Sequence, residues 1–503
     1  MKKYSKKVLD RVVTPSFILC KEKGCVVMKQ TPIWKLLLKL CPPVMLALLI
    51  QSVYNIVDSY FVAQYSFDGL TALSLIFPLQ LLMTAIATGT GTGINILVSR
   101  MDGRGEKEAQ NDTIRSGFCL GIFNFLLFAA AGILFLESYC RFSSGQPSVR
   151  LYATQYARII FLFSLGMFLE ANCTKVLQAK GNMLLPMCAQ IIGALINVVL
   201  DPLLIFGKLG LPAMGIQGAA AATVIGQWAA MLIVLFPVLR MCSGEKSAGI
   251  PGEHTAAPDV AAHRAKGGLR PDPYVCLAIY REGMPSIIMQ SLYTLYIIGL
   301  NLILKQFTED AVTVLGIYYK LQTFFFIPLL GLQQVILPII SFNFGAKNYN
   351  RARQTLRCSI LFSLTVMILG CAVFMAVPGQ LLSIFSTKKE ILDIGSTALR
   401  IISVSFLPAA FVIMFTVYFQ GINRGISSIS ITLLRQVALL VPLAWLFHYK
   451  GLAFVWLTFP VTEFIALFFS LWLYRRKALA PAAQKNAAPK VATHKTVSTN
   501  KLK

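Results

Sequence analysis

Two aspartates stand inside otherwise apolar stretches of this chain, Asp58 in SVYNIVDSYFVAQ and Asp201 in INVVLDPLLIFG. A carboxylate in hydrocarbon costs several kcal/mol on most scales, so one that persists there marks a proton or ion pathway. Asn197 precedes Asp201 by one helical turn on the same face, and Asn55 lies three residues before Asp58. Pro202 removes a backbone hydrogen bond to Val198, which predicts a kink and a freed carbonyl beside the carboxylate. Thr223 lies seven residues into the next apolar stretch. At 1.5 Å per residue, Asp58, Asp201 and Thr223 share a depth of roughly 10 Å below one surface. Such a set suits Na⁺ coordination or a shared proton. We take Asp58, Asn197, Asp201 and Thr223 as the candidate ion-coupling residues, with Na⁺ at Asp58, Asn197 and Asp201 as one form of occupancy. The plainer alternative is that Asp58 tethers a helix bend and Asp201 simply bonds Asn197.

Other polar residues in apolar surroundings are weaker signals. Tyr54 and Asn55 are candidate cavity residues beside Asp58. Glu170, in GMFLEANCTK, either reaches the aspartates laterally or pairs with a base elsewhere. Lys320, in GIYYKLQTFFF, either lines a cavity or snorkels to the interface, and the aromatic residues around it favour the cavity. Gln333 and Gln334 are cavity hydrogen-bonders or helix glue. Arg435 and Glu463, in the eleventh and twelfth stretches, either pair structurally or serve in transport, and structural pairing is the favoured reading.

The elements that must position these residues are membrane spans. Hydrophobic residues make up 56% of the 503, charged ones only 13%, against about 25% charged in soluble domains. Mean hydropathy is +0.67. Apolar runs long enough to cross about 30 Å of hydrocarbon recur near 41–64, 70–98, 114–137, 155–179, 184–207, 216–239, 283–304, 311–340, 358–378, 400–421, 426–447 and 452–474. An all-α polytopic protein of about 12 transmembrane helices is expected.

A net charge of +25 would suit nucleic acid, but its distribution does not. With both termini cytoplasmic, the inward segments hold Arg100, Arg104, Lys107 and Arg115, then Arg240, Lys246, Arg264 and Arg281, then Lys347, Arg351, Arg353 and Arg357, then Arg475, Arg476 and Lys477. The outward loops hold only scattered cations such as Arg141, Lys208, Lys305 and Lys388. This is the positive-inside pattern, and it assigns the charge to orientation. No nucleic-acid partner is expected. Eleven cysteines without CxxC spacing and four isolated histidines argue against a disulfide framework and against a metal cluster. Residues 1–31 read as a cationic extension and lead-in rather than a signal peptide, and Met28 is a second candidate start.

The chain reads as two copies of one unit. Pro43 and Pro285 stand 242 residues apart. So do Ser99 and Ser341, Gly103 and Gly345, Thr113 and Thr355, Arg115 and Arg357, and Gln178 and Gln420. Residues 32–240 then form one six-helix lobe and 276–475 the other. Residues 241–275 form a Gly/Pro/Ala-rich cytoplasmic linker and 476–503 a disordered cytoplasmic tail. Six spans per unit give parallel repeats about an axis along the membrane normal, an architecture that suits alternating access. No phosphate-binding GxxxxGK[ST] motif appears, so an ion gradient is the expected energy source. The run Gly89-Thr90-Gly91-Thr92-Gly93 is read as a close helix contact rather than a phosphate cradle. No nucleophile–base pair marks an enzyme. Apart from a coupling ion, no cofactor is expected.

The segments SVYNIVDSYFVAQ, LIFPLQLLMTAIATGTGTGINILVSRMDGRG, INVVLDPLLIFG with GIQGAAAATVIGQ, GIYYKLQTFFFIPLLGLQQVILPIISFNFGAKN and YFQGINRG resemble the multidrug and toxic compound extrusion (MATE) family, in its DinF/MepA-like bacterial branch. The resemblance covers roughly 33–475. It implies a V of two six-helix lobes in a bacterial plasma membrane, and export of organic, often cationic, small molecules in exchange for Na⁺ or H⁺, by a monomer. The family's first-lobe cluster falls on Asp58, Asn197, Asp201 and Thr223. Other branches carry acids on the seventh and tenth helices. Here those helices read MPSIIMQSLYTLYIIGLNLIL and VSFLPAAFVIMFTVYFQG, so coupling is expected in the first lobe alone. The alternative is a lipid-linked glycan flippase of the same superfamily. That activity calls for a strongly cationic cavity, whereas Lys320 is nearly the only buried cation expected apart from Arg435.

Overall fold

The computed structural model describes residues 31–210, 212–243 and 272–478. Residues 1–30, most of the expected linker and the expected tail beyond 478 lie outside them. The described residues are helical throughout their ordered elements and contain no strand. The first half comprises α1 (Ile33–Tyr65), α2 (Phe67–Arg104), α3 (Lys107–Leu134), short α4 (Leu136–Ser143), α5 (Pro147–Leu162), α6 (Leu165–Ala179), α7 (Leu184–Phe206) and α8 (Ile216–Ser243). The second half repeats the order as α9 (Pro273–Leu304), α10 (Glu309–Gly345), α11 (Tyr349–Ala376), short α12 (Pro378–Ser383), α13 (Lys389–Ser403), α14 (Phe406–Gly421), α15 (Gly425–Leu433), a π-helical turn (Leu434–Leu440), α16 (Val441–His448) and α17 (Leu452–Ala478). Ten of these helical stretches, with α15 to α16 counted as one, are long and apolar enough to span a membrane. Two bent pairs bring the total to as many as 12.

The bends were not expected within 155–179 and 400–421. α5 meets α6 at 48° and α13 meets α14 at 50°. At both breaks a serine bonds locally, Ser164 Oγ donating to the Phe161 carbonyl (2.9 Å) and Ser405 Oγ to the Ile402 carbonyl (2.6 Å), and at the second Pro408 also withholds the amide that would bond the Val404 carbonyl. Trp228 of α8 donates to the Phe163 carbonyl freed at the first bend (3.0 Å). By contrast, α7 runs on as one helix through Pro202 to Phe206, where Gly207 ends it with a left-handed backbone.

The repeat is legible in the caps. Ser66 caps α2 by accepting from the Gly69 amide, and Thr308, 242 residues on, caps α10 by accepting from the Ala311 amide. The turns that end α2 and α10 place Gly105 and Lys347, again 242 apart, at positive φ.

The halves meet most closely toward one end, which carries Arg100, Arg104, Lys347 and Arg351 and is called the basic end below. There α2 and α10 cross reciprocally. A side chain on Gly103 would strike the Phe342 carbonyl, and one on Gly345 would strike the Arg100 carbonyl. Gly89 and Gly93 lie against Ile287 and Ile279 of α9, so the glycine run is a helix contact. Met45 of α1 lies against Gly331 of α10. Each of these contacts falls in the half of its helix nearer the basic end, and the opposite halves of α1 and α2 are much more exposed. Large exposed apolar residues such as Phe123, Leu126, Leu127, Ile368 and Leu369 cover the outer faces, as a lipid-contacting surface requires.

Candidate functional site

α7 packs against both α1 and α8. Its crossing with α8 is set by two glycines, because a side chain on Gly193 would meet the Gly226 carbonyl at 2.7 Å and the reverse substitution would meet Gly193 at 2.6 Å. That approach brings Asn197, one turn past Gly193, beside Thr223. Asn197 Nδ2 donates to Thr223 Oγ1 (3.3 Å) and Asp201 Oδ1 (3.4 Å). Asp201 is fully buried and Asn197 nearly so. α1 supplies Asp58, half-buried, whose carboxyl lies within hydrogen-bonding reach of Asp201. The four expected residues are therefore brought together.

What they leave unsatisfied defines their chemistry. Asp58 Oδ1, Asp201 Oδ2 and Asn197 Oδ1 are buried acceptors without a donor among the described residues. Two carboxylates hold such a contact stably only with a proton or cation between them. Tyr54, one turn from Asp58, stands within electrostatic range of Asp58, Glu170 and Asp201. Tyr156, hydrogen-bonded to Gln80 (3.3 Å), is a further hydroxyl near Asp58 that the sequence reading missed.

The remaining candidates divide. Asn55 is exposed, and its recorded bond is its own carbonyl accepting from Ser59 (2.9 Å). Glu170 accepts from Thr174 (2.8 Å), lies near Gln190 and stands within electrostatic range of Lys175 on its own helix and of Tyr54. Lys320 is exposed, with its ammonium 5.9 Å from the Phe385 ring in the segment joining α12 to α13. Its long stem carries the charge toward Phe385 at the outer end. Gln333's neighbour Gln334 crosses between halves. Lys175 Nζ donates to Gln178 (3.0 Å) and Gln334 (3.2 Å), and Gln178 donates to Gln334 (3.2 Å).

Lys175 corrects the expectation that Lys320 and Arg435 are nearly the only buried cations. Its sequence signal was present, five residues after Glu170 and three before Gln178. A second cross-half pair joins Arg100 of α2 to Glu282 of α9 (3.1 Å), both largely buried. In the second half, Arg435 and Glu463 form the expected ion pair (2.5 Å), with Arg435 seated in the π-helical turn.

Comparison with known proteins then bears on this arrangement. The MatE family model matches residues 43–203 and again 285–446, two copies at the spacing of the internal repeat. The chain is 26% identical over 450 residues to a FAD transporter of Shewanella oneidensis, covering 87% of this chain and 93% of that one. It is 26% identical over 445 residues to the probable multidrug resistance protein YoeA of Bacillus subtilis, covering 86% and 92%. The multidrug export protein MepA of Staphylococcus aureus is 22% identical over 426 residues, covering 84% and 88%. Among solved structures, an outward-facing multidrug resistance MATE transporter superposes with a TM-score of 0.80 at 22% identity, covering 92% of this chain and 99% of that one. A MATE protein in a bent conformation gives 0.80 at 21% identity, covering 93% and 99%. None of these names a glycan flippase. With ten to twelve candidate spans among the described residues and a family model matching both halves of the repeat, the chain belongs to the MatE family of multidrug and toxic compound extrusion (MATE) membrane transporters, which are not enzymes.

Proposed function

We propose that the protein exports organic small molecules from a bacterial cell across the plasma membrane by antiport with Na⁺ or H⁺, and that the ion binds at Asp58, Asn197, Asp201 and Thr223. The observation that carries this reading is the convergence of three unpartnered buried oxygens, on Asp58, Asp201 and Asn197, in one half of the molecule. A bound proton or Na⁺ satisfies them, and its release leaves two carboxylates in contact that repel each other. The half-exposed Asp58 gives the ion a way in, and the buried Asp201 holds it. In this reading the halves alternate access about their glycine crossing, and the basic end faces the cytoplasm.

The relatives' names suggest two substrate classes, drugs and FAD. Lys175 and Gln334 at the contact between halves suit an anionic group, and the carboxylates suit a cationic one. The test uses purified protein in proteoliposomes with imposed Na⁺ or H⁺ gradients, against a panel of organic cations and FAD. Transport driven by one gradient and abolished in Asp58→Asn is the expected result. Gradient-independent transport unaffected by that substitution overturns the reading.

A further inference from the structure

The second half holds a polar site of its own, on the spans that correspond to those of the first. Tyr54 and Tyr296 stand 242 residues apart on α1 and α9. Arg435 corresponds at that spacing to Gly193, one turn before Asn197. α8 and α17 begin 236 residues apart, which places Glu463 opposite Gln227, one turn past Thr223. Because the fifth and sixth spans run antiparallel, both displacements move the site one turn toward the basic end. The seventh, eleventh and twelfth spans thus repeat what the first, fifth and sixth do, a turn deeper.

The chemistry of this second site is complementary to that of the first. Arg435 Nε meets Glu463 Oε1, and the guanidinium is fixed by the π-helical turn, a local geometry that recurs at functional sites. A cavity of about 30 Å³, with room for one or two waters, lies among Tyr319, Gln436, Thr462 and Glu463. Glu463 Oε2, Gln436 Oε1 and Thr462 Oγ1 are buried without a partner among the described residues, and the Tyr319 hydroxyl beside them lies within reach of Tyr296. The acceptors therefore have one fixed cation, Arg435, and a space of hydration size.

We propose that Arg435 is a tethered cation standing where the first half takes its exchangeable one, so that the second half is permanently in an ion-loaded state and each protein carries a single exchangeable coupling site. This rests on the Asp58/Asp201 reading above. The seventh and tenth spans lack an acid, as their sequences show, and the acid of the second half stands on the twelfth span with its cation built in. The ionisable groups facing Glu463 are Arg435 from the π turn, Tyr296 from α9, and Tyr318 and Tyr319 from α10.

Counting cations decides it. Purified protein is assayed for bound ²²Na⁺ at alkaline pH and, by potentiometric titration, for protons taken up as pH falls. The double variant Asp58→Asn/Asp201→Asn is expected to lose the exchangeable cation. Adding Arg435→Gln should restore one cation equivalent, Na⁺ or H⁺, which Glu463→Gln then removes. No gain on adding Arg435→Gln overturns the tethered-cation proposal. Retained binding in the double aspartate variant overturns the first-half site instead. A further arm avoids an unpaired buried charge. The neutral pair Arg435→Met/Glu463→Gln, in an otherwise unaltered chain, should transport within about twofold of the parent with the same ion dependence. Loss of that dependence would make Glu463 an exchangeable site and reject the proposal.

Discussion

Asp201 is sealed from the surface while Asp58, its partner across α1 and α7, is half-exposed, and this difference gives the two carboxyls different parts. Asp58→Asn and Asp201→Asn should each cut ion-driven export at least tenfold with near-normal protein levels, because asparagine keeps the size but cannot release a proton or neutralise Na⁺. Asn301→Ala, beside the second-half counterpart of Asp58, should leave export within about twofold. Equal damage at all three would place the ion elsewhere. If ion and substrate compete through this site, substrate affinity in purified protein should weaken as pH falls or Na⁺ rises, by five- to 150-fold for a coupling of about 1–3 kcal/mol. The double Asn variant should lose that dependence, and titrating substrate binding across both variables is the check. These aspartates stood out in the sequence because a lone acid in an apolar run has few explanations. Lys175 did not, because its partner Gln334 lies 159 residues away on the other half and no local spacing announces such a bond. The same distance explains why Gln333 and Gln334 could not be told apart before their helix was seen against α6.

Helices showed a similar division between what local pattern determines and what packing decides. The spans and their repeat followed from apolar runs and the 242-residue register, down to matching caps at Ser66 and Thr308. The bends at Phe163–Ser164 and Val404–Ser405 did not, since serine is common in straight helices and Pro408 is one of several prolines that lie within helices of this chain. Pro202, where the sequence predicts a kink, lies within a helix that continues to Phe206. What fixes the candidate site at this scale is the Gly193–Gly226 crossing, because it sets the distance from Asn197 to Thr223. Gly193→Val should therefore force α7 from α8, at a cost of about 1–3 kcal/mol. A lowered melting temperature together with impaired ion-driven export is expected, measured by thermal-shift assay and proteoliposome flux. Unchanged values for both would remove the crossing from any role in the site.

For the molecule as a whole, the asymmetry of charge between its two ends predicts its orientation. An engineered thiol at Thr387→Cys, in the exposed segment before α13, should react with a membrane-impermeant reagent applied to intact cells. One at Asn350→Cys, at the basic end, should react only after the cells are opened. The reverse pattern would invert the topology. The two ends differ in another way, through the Gly103 and Gly345 crossing of α2 and α10, which leaves backbone against backbone near one extremity of two long helices. α2 has 38 residues, so at 1.5 Å each it measures about 57 Å. Pivoted near Gly103, such a rod turning through about 10° carries its far end through about 10 Å, while atoms at the fulcrum scarcely move. In the proposed alternating-access cycle, a lever of that proportion would turn a small relaxation at the Gly103–Gly345 crossing into a mouth wide enough for a drug-sized molecule, and a bulky residue at the fulcrum would jam it as a wedge jams a hinge.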